Sequence, residues 1–261
     1  MGSADIQGQL WSARPQDWAE LFEPMMRPVH QAAVDALSPL AGLTLLDAGC
    51  GSGQLLALAA TAGATVSGLD ASAALLGVAR GQLPDADLRT GDIGELPYDD
   101  AGFDVVTAFN AIQYAADPKT AVAELARVTR PGGRVLIGVW AELERCETEM
   151  VFARLRDLAP PPPGTAAPLA LSAPGVVEEL LAAAGLELAS GGEASCPFRY
   201  PDLVTAWRSL SAAGPVQRVI QLAGVEATRA VCDEVHGQYR LPDGTIRQDN
   251  VFRYVIARKP G

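Results

Sequence analysis

Apolar and polar positions along the chain follow two periods in turn. Leu43-Thr44-Leu45-Leu46 and the runs 64–69, 87–90, 104–109 (DVVTAF) and 134–140 (RVLIGVW) are short and mostly apolar. The longer runs lack strict alternation, which predicts strands covered on both faces. Between them, Leu55, Leu56, Leu58 and Ala59, then residues 73–80, then Val122, Leu125 and Val128 recur at helical spacing. Helical crossovers of this kind join parallel strands. Asp117-Pro118 reads as a helix start and Arg130-Pro131-Gly132-Gly133 as its stop. Ahead of the first strand, Trp18, Leu21, Phe22, Met25, Met26, Val29, Val34 and Leu37 form one amphipathic stripe, closed by Pro39 and Gly42.

The regular alternation ends at Trp140. A charged stretch, 142–149, leads into a Pro-rich one, 159–168, expected to run extended. Val176, Val177, Leu180, Leu181 and Ala184 give a helical face ending at Gly185, residues 186–196 a sixth strand, and 251–257 (VFRYVIA) the last. The residues between those two strands far exceed a hairpin loop and carry helical spacing at Leu203, Val204, Trp207 and Leu210. The expected architecture is one α/β domain with a doubly wound, seven-stranded, mostly parallel sheet. A helical segment at 1–40 precedes a core at 43–140, and helical insertions at 141–171 and 197–248 form a lid over the substrate.

Composition narrows the partners. A net charge of −11, from 20 Lys plus Arg against 31 Asp plus Glu, repels phosphate backbones and anionic lipid, so neither a nucleic acid nor a membrane is expected as partner. The longest apolar stretch, 55–69, is interrupted by Thr61, Gly63, Thr65, Ser67 and Gly68 and is no membrane span. Residues 5–7 lack the basic flank and apolar run of a secretory signal, so a cytoplasmic location is expected. Cys50, Cys146, Cys196 and Cys232 lie far apart with only His30 and His236 to join them, so no metal site or disulfide framework is expected.

The chemistry concentrates in Leu45-Leu46-Asp47-Ala48-Gly49-Cys50-Gly51-Ser52-Gly53. Glycines between a strand and a helix let a ligand approach the backbone and offer amide donors at the helix start. The dinucleotide fingerprint would need a third glycine at Gln54, and Asp47 would repel a pyrophosphate while suiting an ammonium or sulfonium group. Asp70 ends the second strand about twenty residues on, where a carboxylate can accept bonds from two ribose hydroxyls. After the third strand, Asp92 and Ile93 can offer a carboxylate to an adenine amino group and an amide to its ring.

LLDAGCGSG, GLDAS, GDIGELPYDDAGFDVVTAFNAIQYAADP and RVTRPGGRVLIGVW, in this order, resemble the successive motifs of class I S-adenosylmethionine-dependent methyltransferases, especially the ubiquinone/menaquinone-biosynthesis-like small-molecule branch. The resemblance covers roughly residues 43 to 140. It implies a Rossmann-like methyltransferase fold that binds S-adenosyl-L-methionine and releases S-adenosyl-L-homocysteine, with no metal. It further implies that Gly49, Cys50, Gly51 and Gly53 line the methionine end and that Asp47 helps hold the amino group. Asp70 then takes the ribose, Ala71 touches adenine, Asp92 and Ile93 read its edge, and Phe109 and Asn110 close the floor near the sulfonium.

The expected reaction is methyl transfer to a small, hydrophobic or aromatic molecule of secondary metabolism, an O-methylation in preference to others. Gln113 and Tyr114 follow the fourth strand where the transferred methyl would emerge, as cofactor contact and substrate contact respectively. In the insertion, His236 is the candidate general base, with Tyr239 beside it as a substrate contact; His30 is the weaker histidine, and Tyr114 the second catalytic candidate. Two other readings stay open: a module that binds S-adenosylmethionine without transferring its methyl, and a nicotinamide-dependent oxidoreductase, against which Gln54 and Asp47 count.

Overall fold

The computed structural model describes residues 3–160 and 169–261. Most of the Pro-rich segment expected to run extended therefore lies outside the described residues. The chain opens with α1 (Ser3–Trp11) and α2 (Pro15–Asp17), continues through a wide π turn at Trp18–Phe22 and a tight 3₁₀ turn at Glu23–Met26, and enters α3 (Arg27–Leu37). The amphipathic stripe expected over 18–37 is thus helical throughout but changes winding twice. Pro24 and Pro28 lack the amide hydrogens a regular helix would use, so the winding adjusts at each.

The core then alternates as expected: β1 (Thr44–Ala48), α4 (Gln54–Thr61), β2 (Thr65–Asp70), α5 (Ala73–Gln82), β3 (Asp87–Thr90), β4 (Phe103–Phe109), α6 (Pro118–Val128) and β5 (Thr129–Trp140). Asp117 caps α6 by accepting from the amides of Lys119 and Thr120. After it come α7 (Glu149–Leu158), α8 (Val176–Ala183), β6 (Glu187–Ser195), β7 (Phe198–Tyr200), α9 (Leu203–Ser211), α10 (Gly214–Ala223), α11 (Val225–Gly237), β8 (Ile246–Gln248) and β9 (Val251–Arg258).

Seven strands form one sheet in the order β3-β2-β1-β4-β5-β9-β6, parallel except where β9 runs antiparallel to both neighbours. Every residue of β4 is buried, as a central strand covered on both faces demands. One apolar layer unites Leu45, Leu56, Val105 and Leu136 with α3, α4 and the C-terminal insertion. The other packs Leu46, Val106, Val135 and Ile137 against α6 and α8. The strand order reverses between β1 and β4, which run parallel, and this switch opens a crevice at the carboxyl ends of the strands, the place where open α/β sheets bind ligands.

The insertion at 197–248 contains the helices its spacing predicts and also a two-stranded sheet, β7 with β8, that pattern reading missed. Among the described residues, none of the insertion lines the crevice that the expected lid would cover. The insertion packs behind the N-terminal helices instead: a Cβ at Gly214 on α10 would lie 2.7 Å from the Trp11 ring, and Arg208 on α9 binds Asp17 at 2.5 Å. Helix α1 takes the covering position, with Gly8 seated on the Ala71 carbonyl and Ser3 Oγ donating to the Tyr114 carbonyl at 3.2 Å.

Candidate functional site

The crevice deepens into a cleft. Its floor comes from the end of β1 and the loop after it (Asp47, Gly49, Cys50, Gly51), the end of β2 and the residues after β2 and β3 (Asp70, Ala71, Asp92, Ile93) and the end of β4 (Phe109, Asn110). Its roof comes from α1 and the helical stretch up to α3, through Gln7, Trp11, Trp18, Glu23, Met26 and His30, and Tyr114 closes one side. Among the described residues that line it, none belongs to 141–171 or 197–248, and none is Lys or Arg.

Asp47 is buried and accepts a hydrogen bond from Thr107 Oγ1 on the neighbouring strand at 2.7 Å. Burial first, and the nearby Asp70 after it, push its pKa up to about 7 against the pull of Thr107. Asp70 accepts from the Gly51 amide and the Ser72 amide, both at 2.8 Å, which aims one carboxylate edge at the loop and leaves lone pairs for a ligand. Asp92 accepts from the Gly94 amide at 2.8 Å and lines the cleft together with Ile93.

The glycine loop works differently from the expected cradle of amide donors. Gly49 and Cys50 donate to the Leu69 carbonyl at 2.6 and 3.0 Å, Gly51 donates to Asp70, Ser52 to Glu23 and Gly53 to the Cys50 carbonyl. These amides serve the loop itself, so its glycines give close approach and carboxylate placement rather than free donors. Gly49 has φ +87° and would drive a Cβ into Ala111, while at Gly51, φ +56°, a Cβ would lie 2.7 Å from Glu23 Oε1. Gly53 does not line the cleft. It holds the left-handed start of α4 at φ +91° against Ala79 and Leu83.

Glu23 was not singled out by sequence pattern, yet it is the fourth carboxylate of the cleft. It is buried and accepts from both the hydroxyl and the amide of Ser52, which tie the N-terminal stretch to the loop. Desolvation raises its pKa to about 7 in spite of those bonds. The sequence signal was available: a glutamate between Phe22 and Met25 sits inside an apolar stripe, where an acid without a partner is costly. The roof also carries an aromatic cluster, in which Trp11 meets Trp18 edge-on at 4.8 Å and Tyr114 at 5.4 Å.

The remaining candidates divide sharply. Tyr114 lines the cleft, and burial pushes its hydroxyl pKa up, so the group stays protonated at neutral pH. Gln113 is buried and does not line the cleft. His236 is fully buried on α11 against the Tyr200 ring, and Tyr239 follows it at the end of the insertion; the structure brings neither to the cleft. His30, ranked below His236 by sequence, is the histidine that lines it. Asp100, in the acidic turn at 99–102, forms an ion pair with Arg127 at 2.7 Å.

The cleft's floor suits an adenosyl sulfonium. Three carboxylates step along the ends of β1, β2 and β3, and the buried Oδ1 of Asn110 is an acceptor without a protein partner. A doubly wound sheet with such a crevice at its strand ends defines a ligand-binding α/β protein. The methyltransferase-domain family matches residues 46–137. Malonyl-[acyl-carrier protein] O-methyltransferase of Erwinia pyrifoliae is 32% identical over 191 residues, 73% of this chain and 69% of that protein. Demethylmenaquinone methyltransferase of Renibacterium salmoninarum is 38% identical over 108 residues, 41% of this chain and 46% of that one. The crystal structure of the YcgJ protein of Bacillus subtilis superposes with a TM-score of 0.60 at 19% identity, over 89% of this chain and 98% of that chain. The chain belongs to the class I S-adenosylmethionine-dependent methyltransferases. Its matches span about half the length of several curated relatives. In the described residues no helix is long and apolar enough to cross a membrane.

Proposed function

We propose that this protein transfers the methyl group of S-adenosylmethionine to a hydroxyl of a small, uncharged, largely apolar or aromatic molecule. The observation that carries this reading is the set of carboxylates Asp47, Asp70 and Asp92 at successive strand ends in one cleft. Asp47, with the Asn110 oxygen, suits the ammonium of the methionine moiety, Asp70 the ribose, and Asp92 with Ile93 the adenine edge. When bound, the sulfonium supplies an activated methyl group.

The chain's own part is to align, desolvate and manage one proton. Trp11, Trp18 and Tyr114 form an apolar roof, and indole faces favour a cation beneath them. Four carboxylates without a Lys or Arg among the lining residues disfavour an acceptor that carries a carboxylate or phosphate. The names of the ubiquinone biosynthesis O-methyltransferases among the chain's relatives support oxygen as the acceptor atom. Titration calorimetry tests the first half of the proposal. S-Adenosylmethionine should bind the wild type, and Asp70→Ala should weaken it by about 1.5–3 kcal/mol through lost charge-assisted hydrogen bonds. A wild type that ignores the compound overturns the reading. Turnover on a panel of neutral phenols, with none on their carboxylated counterparts, tests the second half.

A further inference from the structure

The chain has two histidines, and only His30 borders the cleft. Its Nδ1 lies 2.9 Å from Gln54 Oε1. A carboxamide oxygen can only accept, so Nδ1 carries the ring proton and the lone pair resides on Nε2. Gln54 is the first residue of α4, fixed there by the left-handed turn at Gly53. It occupies the position where a dinucleotide fingerprint would have its third glycine, and the side chain gained there is used to orient a histidine.

The other contacts of His30 place it at the reacting end. Its ring packs edge-on against Phe109, centroids 4.7 Å apart at 78°, at the carboxyl end of β4. Met26, one turn earlier, accepts from Asn110 Nδ2 at 3.4 Å, so the N-terminal helix is clamped to the same strand end by two contacts. Burial lowers the imidazole pKa to about 4 against the pull of Gln54, and the ring is neutral at neutral pH.

We infer that His30 is the residue that takes the acceptor's proton, through Nε2, and that Gln54 positions it by fixing the tautomer. This rests on the methyltransferase reading above. In the step, the acceptor oxygen forms a bond to the methyl carbon, the carbon–sulfur bond of the sulfonium breaks with its electron pair returning to sulfur, and the O–H proton passes to Nε2. Glu23 and Asp47, which border the same cleft, offset the imidazolium charge that appears.

Long-range proton–nitrogen NMR of the two imidazoles tests the geometry without turnover. The His30 signals, identified by their loss in His30→Gln, should show the proton on Nδ1 in the wild type and a tautomer mixture in Gln54→Leu. With S-adenosylhomocysteine bound, titration with phenol should shift His30 Nε2 and leave His236 unmoved. Kinetics on phenols of graded acidity gives a second readout. His30→Gln should lower kcat by about 10²–10⁴ on the least acidic phenol and by less on the most acidic, which ionises unaided. Its calorimetric Kd for S-adenosylmethionine should stay within about twofold of wild type. A proton on Nε2, an Nε2 signal that phenol does not move, an equal kcat across the series, or lost cofactor binding in a folded His30→Gln each overturns the assignment. If the wild type binds S-adenosylmethionine and any of these results appears, the proton role fails alone; if it does not bind, the methyltransferase reading itself has failed.

Discussion

The roof of the cleft and the C-terminal insertion are both helical, both rich in aromatic residues, and each contains one of the chain's two histidines. They differ in what their polar groups face. In the roof, Glu23 and His30 reach across to Ser52 and Gln54 of the glycine loop and its helix, and both still border the cleft. In the insertion, His236 is sealed against Tyr200, and its low pKa of about 4 comes from burial inside the element's own packing. The imidazoles have similar proton affinities and unlike opportunities. Residue type and a shifted pKa therefore do not identify a site; exposure to a cavity shared with other functional groups does.

The largest expected effect breaks the link between roof and loop. Gly51→Val would place a β-branched side chain at φ +56° and press its Cβ on Glu23 Oε1. S-Adenosylmethionine affinity should fall by more than about a hundredfold, since both loop and roof must move. A folded variant with unchanged calorimetric affinity would show that the roof contact is dispensable.

Glu23 and Asp47 give the comparison a pH axis. Both have pKa values raised to about 7, so between the ordinary carboxylate range and about pH 7 the folded state holds more protons than the unfolded one. Stability from this source is fully present below the unfolded values and is lost as pH rises through 7, so the ligand-free Tm should fall by roughly several degrees from pH 5 to pH 8. Glu23→Gln should flatten that slope. Binding of the sulfonium cation favours the ionised acids, so its affinity should rise over the same interval. A Tm that climbs from pH 5 to 8 in the wild type and in Glu23→Gln alike would refute the assignment.

The core was legible because parallel strands and their crossovers leave a strong mark: the central run DVVTAF is buried on both faces, and Asp47, Asp70 and Asp92 fall at or just after strand ends by spacing alone. The N-terminal stretch was legible as helix, with Trp11 and Trp18 readable as core anchors or as walls over the cofactor, because a stripe at helical spacing shows that one face is buried without saying against what. Glu23 inside that stripe was the overlooked clue. The loop amides could not be assigned from sequence, because their bonds to Leu69 and Asp70 depend on how β2 runs beside β1. The packing of the insertion against the N-terminal helices could not be read, because its topology, an excursion before the last strand, does not specify which side of the sheet it covers.

Two substitutions in the insertion give the smaller effects. His236→Ala leaves a void beside Tyr200 and should lower unfolding stability by about 2–3 kcal/mol while S-adenosylmethionine affinity stays unchanged. A fall in affinity without a fall in Tm would place the histidine back in the site.

Tyr239→Phe should do least of all, and for that reason it tests the comparison most closely. The residue is held through its backbone, its amide donating to the His236 carbonyl and its own carbonyl accepting from the Arg247 amide. Removing the hydroxyl keeps both bonds and the ring, so stability should change by no more than about 0.5 kcal/mol. Because the insertion borders the N-terminal helices rather than the cleft, KM and kcat for every accepted phenol should match wild type. A changed acceptor preference in this variant, with Tm and cofactor affinity constant, would mean that the insertion reaches the acceptor during turnover, and the division between working roof and supporting insertion would have to be redrawn.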